Sequence, residues 1–93
     1  MLKRKYEILC TEPFIDSVEE VGNKIQMMLT QEFSSHIAGD QLFELVNRLF
    51  KKPSFKYMKN EIVLILPTNE KWLEAIVELL NELKKVYNEM NKN

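Results

Sequence analysis

Scarcity marks this chain more than any motif. In 93 residues it holds two glycines, one cysteine, one histidine and one tryptophan, and its longest unbroken apolar run is five residues. Gly22 and Gly39 stand far apart, so no glycine-rich loop is present to cradle a phosphate, which disfavours P-loop and dinucleotide-fold chemistry. The lone Cys10 excludes an internal disulfide framework and fits a reducing compartment. Five apolar residues fall far short of the roughly 20 that a membrane helix needs, and no basic-then-apolar leader opens the chain. These gaps together lead us to expect a cytoplasmic protein, no membrane partner and no cofactor.

What is present belongs to an ordinary globular chain: 45% hydrophobic and 29% charged residues, with a formal net charge of -1. The length suits a single domain spanning 1–93, and a chain of this size buries only roughly 60–65% of its unfolded surface, so its stability margin is small. The charge is laid out in blocks. Lys3, Arg4 and Lys5 open basic, residues 7–44 carry eight acids against Lys24, and Arg48, Lys51, Lys52, Lys56 and Lys59 follow without an acid among them. Such asymmetry can steer a partner of either sign.

Residues 62–66 (Ile-Val-Leu-Ile-Leu) do not alternate with polar side chains, which predicts a strand covered on both faces. Residues 54–58 and 61–66 flank Lys59-Asn60 and predict a hairpin, with Asn60 taking the positive φ of a two-residue turn. Residues 6–10 predict a first strand beginning near Lys3. From Phe14 the period changes: Ile15, Val18, Val21, Ile25, Met28 and Leu29 recur at three and four and predict a helix. Ser17-Val18-Glu19-Glu20 would be its capping box, and Gly22 would cost about 1 kcal/mol inside it. Gly39-Asp40 predicts a stop and an N-cap for a second helix over 41–51, in which Leu42, Leu45, Val46 and Leu49 form the buried stripe, Phe43 and Phe50 widen it, and Pro53 ends it. Thr68 or Asn69 would cap a final helix in which Leu73, Ile76, Leu80, Leu83, Tyr87 and Met90 follow three heptads and Trp72, Leu79 and Val86 lie alongside.

The fold class is therefore α+β: a two-layer β-α-α-β-β-α domain with a small, mainly antiparallel sheet and a long C-terminal helix. The broad apolar face of that helix predicts a homodimer or a protein partner, with Trp72, Ile76, Leu79, Leu83, Val86 and Tyr87 as the association surface.

Motifs that could carry chemistry are weak. His36 follows Ser34-Ser35, but a nucleophilic triad draws its members from separate parts of a fold. Glu32, His36, Asp40 and Glu44 are spaced by four and would align as metal ligands on one continuous helix, a continuity that Gly39 opposes. No catalytic, cofactor or metal site is expected, and the chain reads as a non-enzymatic interaction module: an adaptor, subunit or inhibitor of a larger protein. The alternative is a winged-helix-like nucleic-acid binder. Arg48, Lys51, Lys52, Phe55, Lys56, Tyr57 and Lys59 interleave cations with rings, as a surface that neutralises phosphates and stacks bases would, and Gln41, Glu44, Asn47, Arg48 and Lys51 would form the exposed face of a recognition helix.

Overall fold

The structure, a computed structural model, describes residues 12–68 and 71–92. The expected first strand over residues 6–10, Cys10, the basic opening and Asn69 lie outside the described residues. Seven elements follow one another: β1 (Ile15–Val21), β2 (Lys24–Leu29), α1 (Gln31–His36), α2 (Gly39–Leu49), β3 (Ser54–Met58), β4 (Glu61–Pro67) and α3 (Trp72–Met90). The strands form one antiparallel sheet in the order β1-β2-β4-β3, so the fold is α+β, with β-β-α-α-β-β-α along the chain and a long C-terminal helix.

The helix expected from Phe14 is a β-hairpin instead. Gly22 sits at φ 64, and Val21 pairs with Lys24 across the two-residue turn Gly22-Asn23. Asn23 has no positive φ, so Gly22 alone supplies the left-handed residue, as in a type II′ turn, whose twist matches that of the flanking strands. Ser17 and Glu20 consequently lie on β1 and cap nothing. In β2, Ile25, Met27 and Leu29 are buried and alternate with the half-buried Gln26 and Met28, the period of two that a strand on a core requires. A β-bulge between Ile15 and Ser17 interrupts the β1–β2 register.

β4 pairs on one side with β2, from Lys24↔Pro67 to Met28↔Val63, and on the other with β3, from Ser54↔Ile65 to Met58↔Glu61. The β3–β4 hairpin has the expected turn, with both Lys59 (φ 52) and Asn60 (φ 71) left-handed as a type I′ turn demands, and β4 runs one residue past the expected end, to Pro67. Ile62, Leu64 and Leu66 join Met27 and Leu29 beneath the helices, packed with Phe33 of α1, Leu42 and Val46 of α2, and Ile76, Leu79, Leu80 and Leu83 of α3. Phe14 and Phe33 stack at 5.0 Å between ring centroids, and Tyr87 lies 5.7 Å from Phe14 and 6.4 Å from Phe33, so three aromatics join the start of β1, α1 and α3.

One buried polar contact fixes α1 on the sheet: the Ser34 Oγ accepts from the Ile62 N–H at 2.9 Å. Thr30 caps α1 by accepting from the Phe33 N–H at 3.3 Å. Other caps differ from the expected ones. Ala38 stands at the N-cap of α2, with Gly39 already helical and Asp40 in its first turn. Thr68 serves a different end: its hydroxyl and N–H both donate to the Asn23 carbonyl, at 2.6 and 3.2 Å, tying the β1–β2 turn to the end of β4, and Lys71 is the N-cap of α3.

Two substitutions test this architecture. Gly22→Ala would gain stability in a helix interior, whereas at φ 64 it should cost about 1 kcal/mol and lower the melting temperature by about 4–8 °C. Ser34→Ala leaves the Ile62 N–H buried without a partner and should cost about 1–3 kcal/mol, read as a shift in the denaturant midpoint at unchanged slope.

Candidate docking edge

Among the described residues the sheet has two edges, β1 and β3, and they differ in kind. β1 is bulged and carries Asp16, Glu19 and Glu20. β3 keeps an unbroken register with β4 and contains Phe55, Lys56 and Tyr57. Backbone polarity along β3 follows from the turn. A two-residue loop is closed by a hydrogen-bonded pair, here Met58↔Glu61, and bonded and non-bonded pairs alternate in an antiparallel ladder. Lys56 and Ser54 thus turn their backbone groups toward β4, while those of Phe55 and Tyr57 point outward. The Ile62 N–H agrees with this phase, since it leaves Tyr57, its partner across the ladder, and donates to Ser34 on the other side.

Side chains alternate in the same way. Phe55 pairs with Leu64 and Tyr57 with Ile62, both core residues, so the two rings lie on the helix-covered side of the sheet and Lys56, paired with Val63, lies on the other. Phe43 of α2 packs on Phe55 with centroids 5.3 Å apart. The Tyr57 hydroxyl reaches the start of α2, 3.6 Å from where a Cβ on Gly39 would stand. Yet Tyr57 is 69% exposed and Phe43 54% exposed, with Phe55 half-buried between the helix and the solvent. The result is an aromatic shelf along a strand edge that no other strand pairs with among the described residues.

Lysines bracket this edge. Lys52 and Lys59, before and after β3, both adopt φ 52, a left-handed conformation in which an L side chain is strained. Among the described residues the ion pairs are Lys84–Glu12 and Lys85–Glu82, each at 3.5 Å, so neither Lys52 nor Lys56 is neutralised by a salt bridge.

Glu61, beside the β3–β4 turn, titrates above the ordinary carboxylate range, chiefly because it shares a hydrogen bond with the Asp16 carboxyl, then through desolvation and the repulsion of Asp16's charge; Lys59 pulls the other way. This carboxyl pair lines a surface hollow together with Glu32 and Tyr87. Among the described residues, no group of three His, Cys, Asp or Glu side chains is arranged to hold a metal ion, and Ile37-Ala38 breaks the helix between His36 and Asp40, so the four-residue spacing from Glu32 to Glu44 does not share one helix.

The residues singled out from sequence are dispersed. Ile76, Leu79 and Leu83 are 0–2% exposed in the protein's own core, and Trp72, Val86 and Tyr87 pack against it, which leaves little of that expected association surface free. Leu73, expected in the buried stripe, is exposed, as is Val77. The basic segment is divided: Arg48 lines the cleft between α2 and α3 with Glu44, Glu82 and Glu89, Lys51 shares a second one with Lys71, Glu74 and Glu78, and Lys56 lies across the sheet from Phe55 and Tyr57. The face expected of a recognition helix thus borders α3 amid acids. Phe43 is the residue that sequence reasoning misplaced to greatest effect. Its spacing predicts that it widens the buried stripe together with Phe50, but α2 ends at Leu49, and only Phe50, leaving the helix at φ -126, turns inward to 4% exposure.

Glu61→Gln keeps a hydrogen-bond partner for Asp16 and removes a charge. A raised pKa means that the fold favours the protonated acid, so this stabilisation is present at low pH and is lost as pH rises through the raised value. The variant should therefore melt higher than the wild type at neutral pH, with the difference shrinking on acidification, in thermal melts followed by circular dichroism.

Among the described residues no helix is long and apolar enough to cross a membrane. No protein-family model matches this chain, and neither does any curated protein or solved structure.

Proposed function

We propose that this chain is a small, non-enzymatic protein-interaction module of the cytosol that takes an extended segment of a partner protein onto the β3 edge. The observation that carries this reading is an unbulged edge strand whose two outward-facing residues, Phe55 and Tyr57, are both aromatic, roofed by the exposed Phe43. Addition of a strand to a sheet edge supplies backbone hydrogen bonds for affinity, with side-chain sites on alternate residues for specificity. Aromatic side chains are the residue type that anchors such contacts. Most sheet edges are protected by bulges, charge or a covering element. Among the described residues β1 has the first two, whereas β3 has charge alone and adds rings that protection does not need.

Association through the last helix, expected from its apolar width, is weakened by the burial of Ile76, Leu79 and Leu83. The nucleic-acid alternative is weakened by the dispersal of its cations, because Arg48 and Lys51 line clefts with glutamates and Lys56 is on the opposite side of the sheet from the rings.

A photo-crosslinkable phenylalanine placed at Tyr57 or at Phe43, with Val77 on α3 as the control position, tests the reading in lysate of the source cells. Partner adducts should form from positions 57 and 43 and not from 77. Adducts from 77 alone, or none from either edge position, would overturn it.

A further inference from the structure

Resting on the docking role proposed for β3, we infer that the segment received there is an acidic one in which carboxylates alternate with apolar residues, contributed by a different protein. The alternation follows from the edge itself. A strand added beside β3 would bond its backbone to the outward groups of Phe55 and Tyr57, and residues directly opposite each other share a face. The residues opposite Phe55 and Tyr57 would then lie on the helix side, against two rings and Phe43, where apolar side chains fit. The residue between them would face Lys56 in the non-bonded kind of pair, in which the Cα atoms approach to about 4.5 Å and side chains lie closest. A carboxylate at that place meets an ammonium that has no salt bridge among the described residues. Lys52 extends the positive field at the start of the strand, where residues 45–60 contain no acid, while at the far end Lys59 faces Glu61, which pairs with Met58 and opposes the field there. Both bracketing lysines hold a left-handed φ of 52, where asparagine or glycine is less strained.

A second copy of the chain fits this edge poorly in either available way. Two β3 edges related by a two-fold axis, using the outward groups of Phe55 and Tyr57, set Lys56 directly against Lys56, a like-charge pair. The acidic edge β1 could meet β3 in head-to-tail fashion, but its bulge between Ile15 and Ser17 breaks its register. In addition, Glu20 pairs with the buried Ile25 and so lies on the helix side, where the shelf presents rings. A regular strand with acids on one face and apolar residues on the other meets neither obstacle.

The probes are two capped synthetic peptides, one alternating valine with glutamate and the other valine with lysine, titrated into the isotopically labelled full chain and followed by amide resonances. The Val/Glu peptide should perturb Phe55, Lys56 and Tyr57, bind more weakly as salt is added, and lose about tenfold in affinity to Lys56→Glu, an exposed change that leaves the core untouched. Equal binding of the Val/Lys peptide, or no effect of Lys56→Glu, would overturn the acidic partner while leaving the edge as a docking site. Perturbation confined to α3 or β1 would overturn the docking site itself. Sedimentation of the protein alone closes the remaining route: a salt-sensitive assembly abolished by Lys56→Glu would identify a second copy and overturn the foreign segment.

Discussion

The backbone of β4 has to be satisfied along both of its edges, and the arrangement of the other elements follows from how this is done. β3 serves one edge over five residues and β2 serves the other from Lys24 to Met28. Beyond β2 the Ile62 N–H points into the core region where Ser34 meets it, and an unpaired buried donor there would cost about 1–3 kcal/mol. That bond places α1 against the end of β4, which sets Phe33 beside Phe14 and Tyr87 and so docks the middle of the chain on both the start of the sheet and the last helix. At the opposite end of β4, Thr68 donates twice to the Asn23 carbonyl and holds the β1–β2 turn. In a chain of this size, with a margin of about 5–15 kcal/mol at most, two such polar ties at the ends of one strand weigh heavily.

The sequence was most legible where composition left one solution. Residues 62–66 are apolar on every position, as a strand covered on both faces requires, and Lys59-Asn60 sits between two β-rich runs, so the β3–β4 hairpin was legible to within one residue, β4 running on to Pro67. α2 and α3 were legible from their stripes. The stretch from Phe14 was misread because Ile15, Val18, Val21, Ile25, Met28 and Leu29 satisfy a helical period, while the same stretch also holds the alternation of Ile25, Met27 and Leu29. The deciding signal was Gly22-Asn23 in the middle of the pattern. Gly-Asn between Val21 and Lys24-Ile25 is a hairpin turn, and a glycine read as a tolerated defect was in fact the residue the turn requires.

The docking edge was less legible than the fold, for a physical reason. Which strand lies at an edge depends on strand order, a non-local property, and the order depended on β1 and β2, which the helical reading had removed. The aromatic and basic residues of the segment were noticed, but a list along the chain does not separate them. Period two assigns Phe55 and Tyr57 to one side of β3 and Lys56 to the other, helical geometry carries Arg48 round to α3, and the chain leaving α2 brings Lys51 there too. A pattern that resembles one mixed surface in sequence becomes, once folded, an aromatic shelf with a charge behind it.

Magnitudes indicate what that shelf contributes. The outward groups of Phe55 and Tyr57 are two N–H and two C=O groups, and four backbone bonds at about 1 kcal/mol net each give about 4 kcal/mol. Association costs at least about that much in lost translational and rotational freedom. Backbone pairing alone therefore sets geometry and leaves almost no net affinity, and the Lys56 charge, exposed and screened by salt, adds about 1 kcal/mol or less. Apolar contact has to supply the remainder. On the helix side of this edge Phe43 and Tyr57 still have surface to bury, 54% and 69% exposed, so they decide whether a strand stays bound, while the lysines decide which strand arrives.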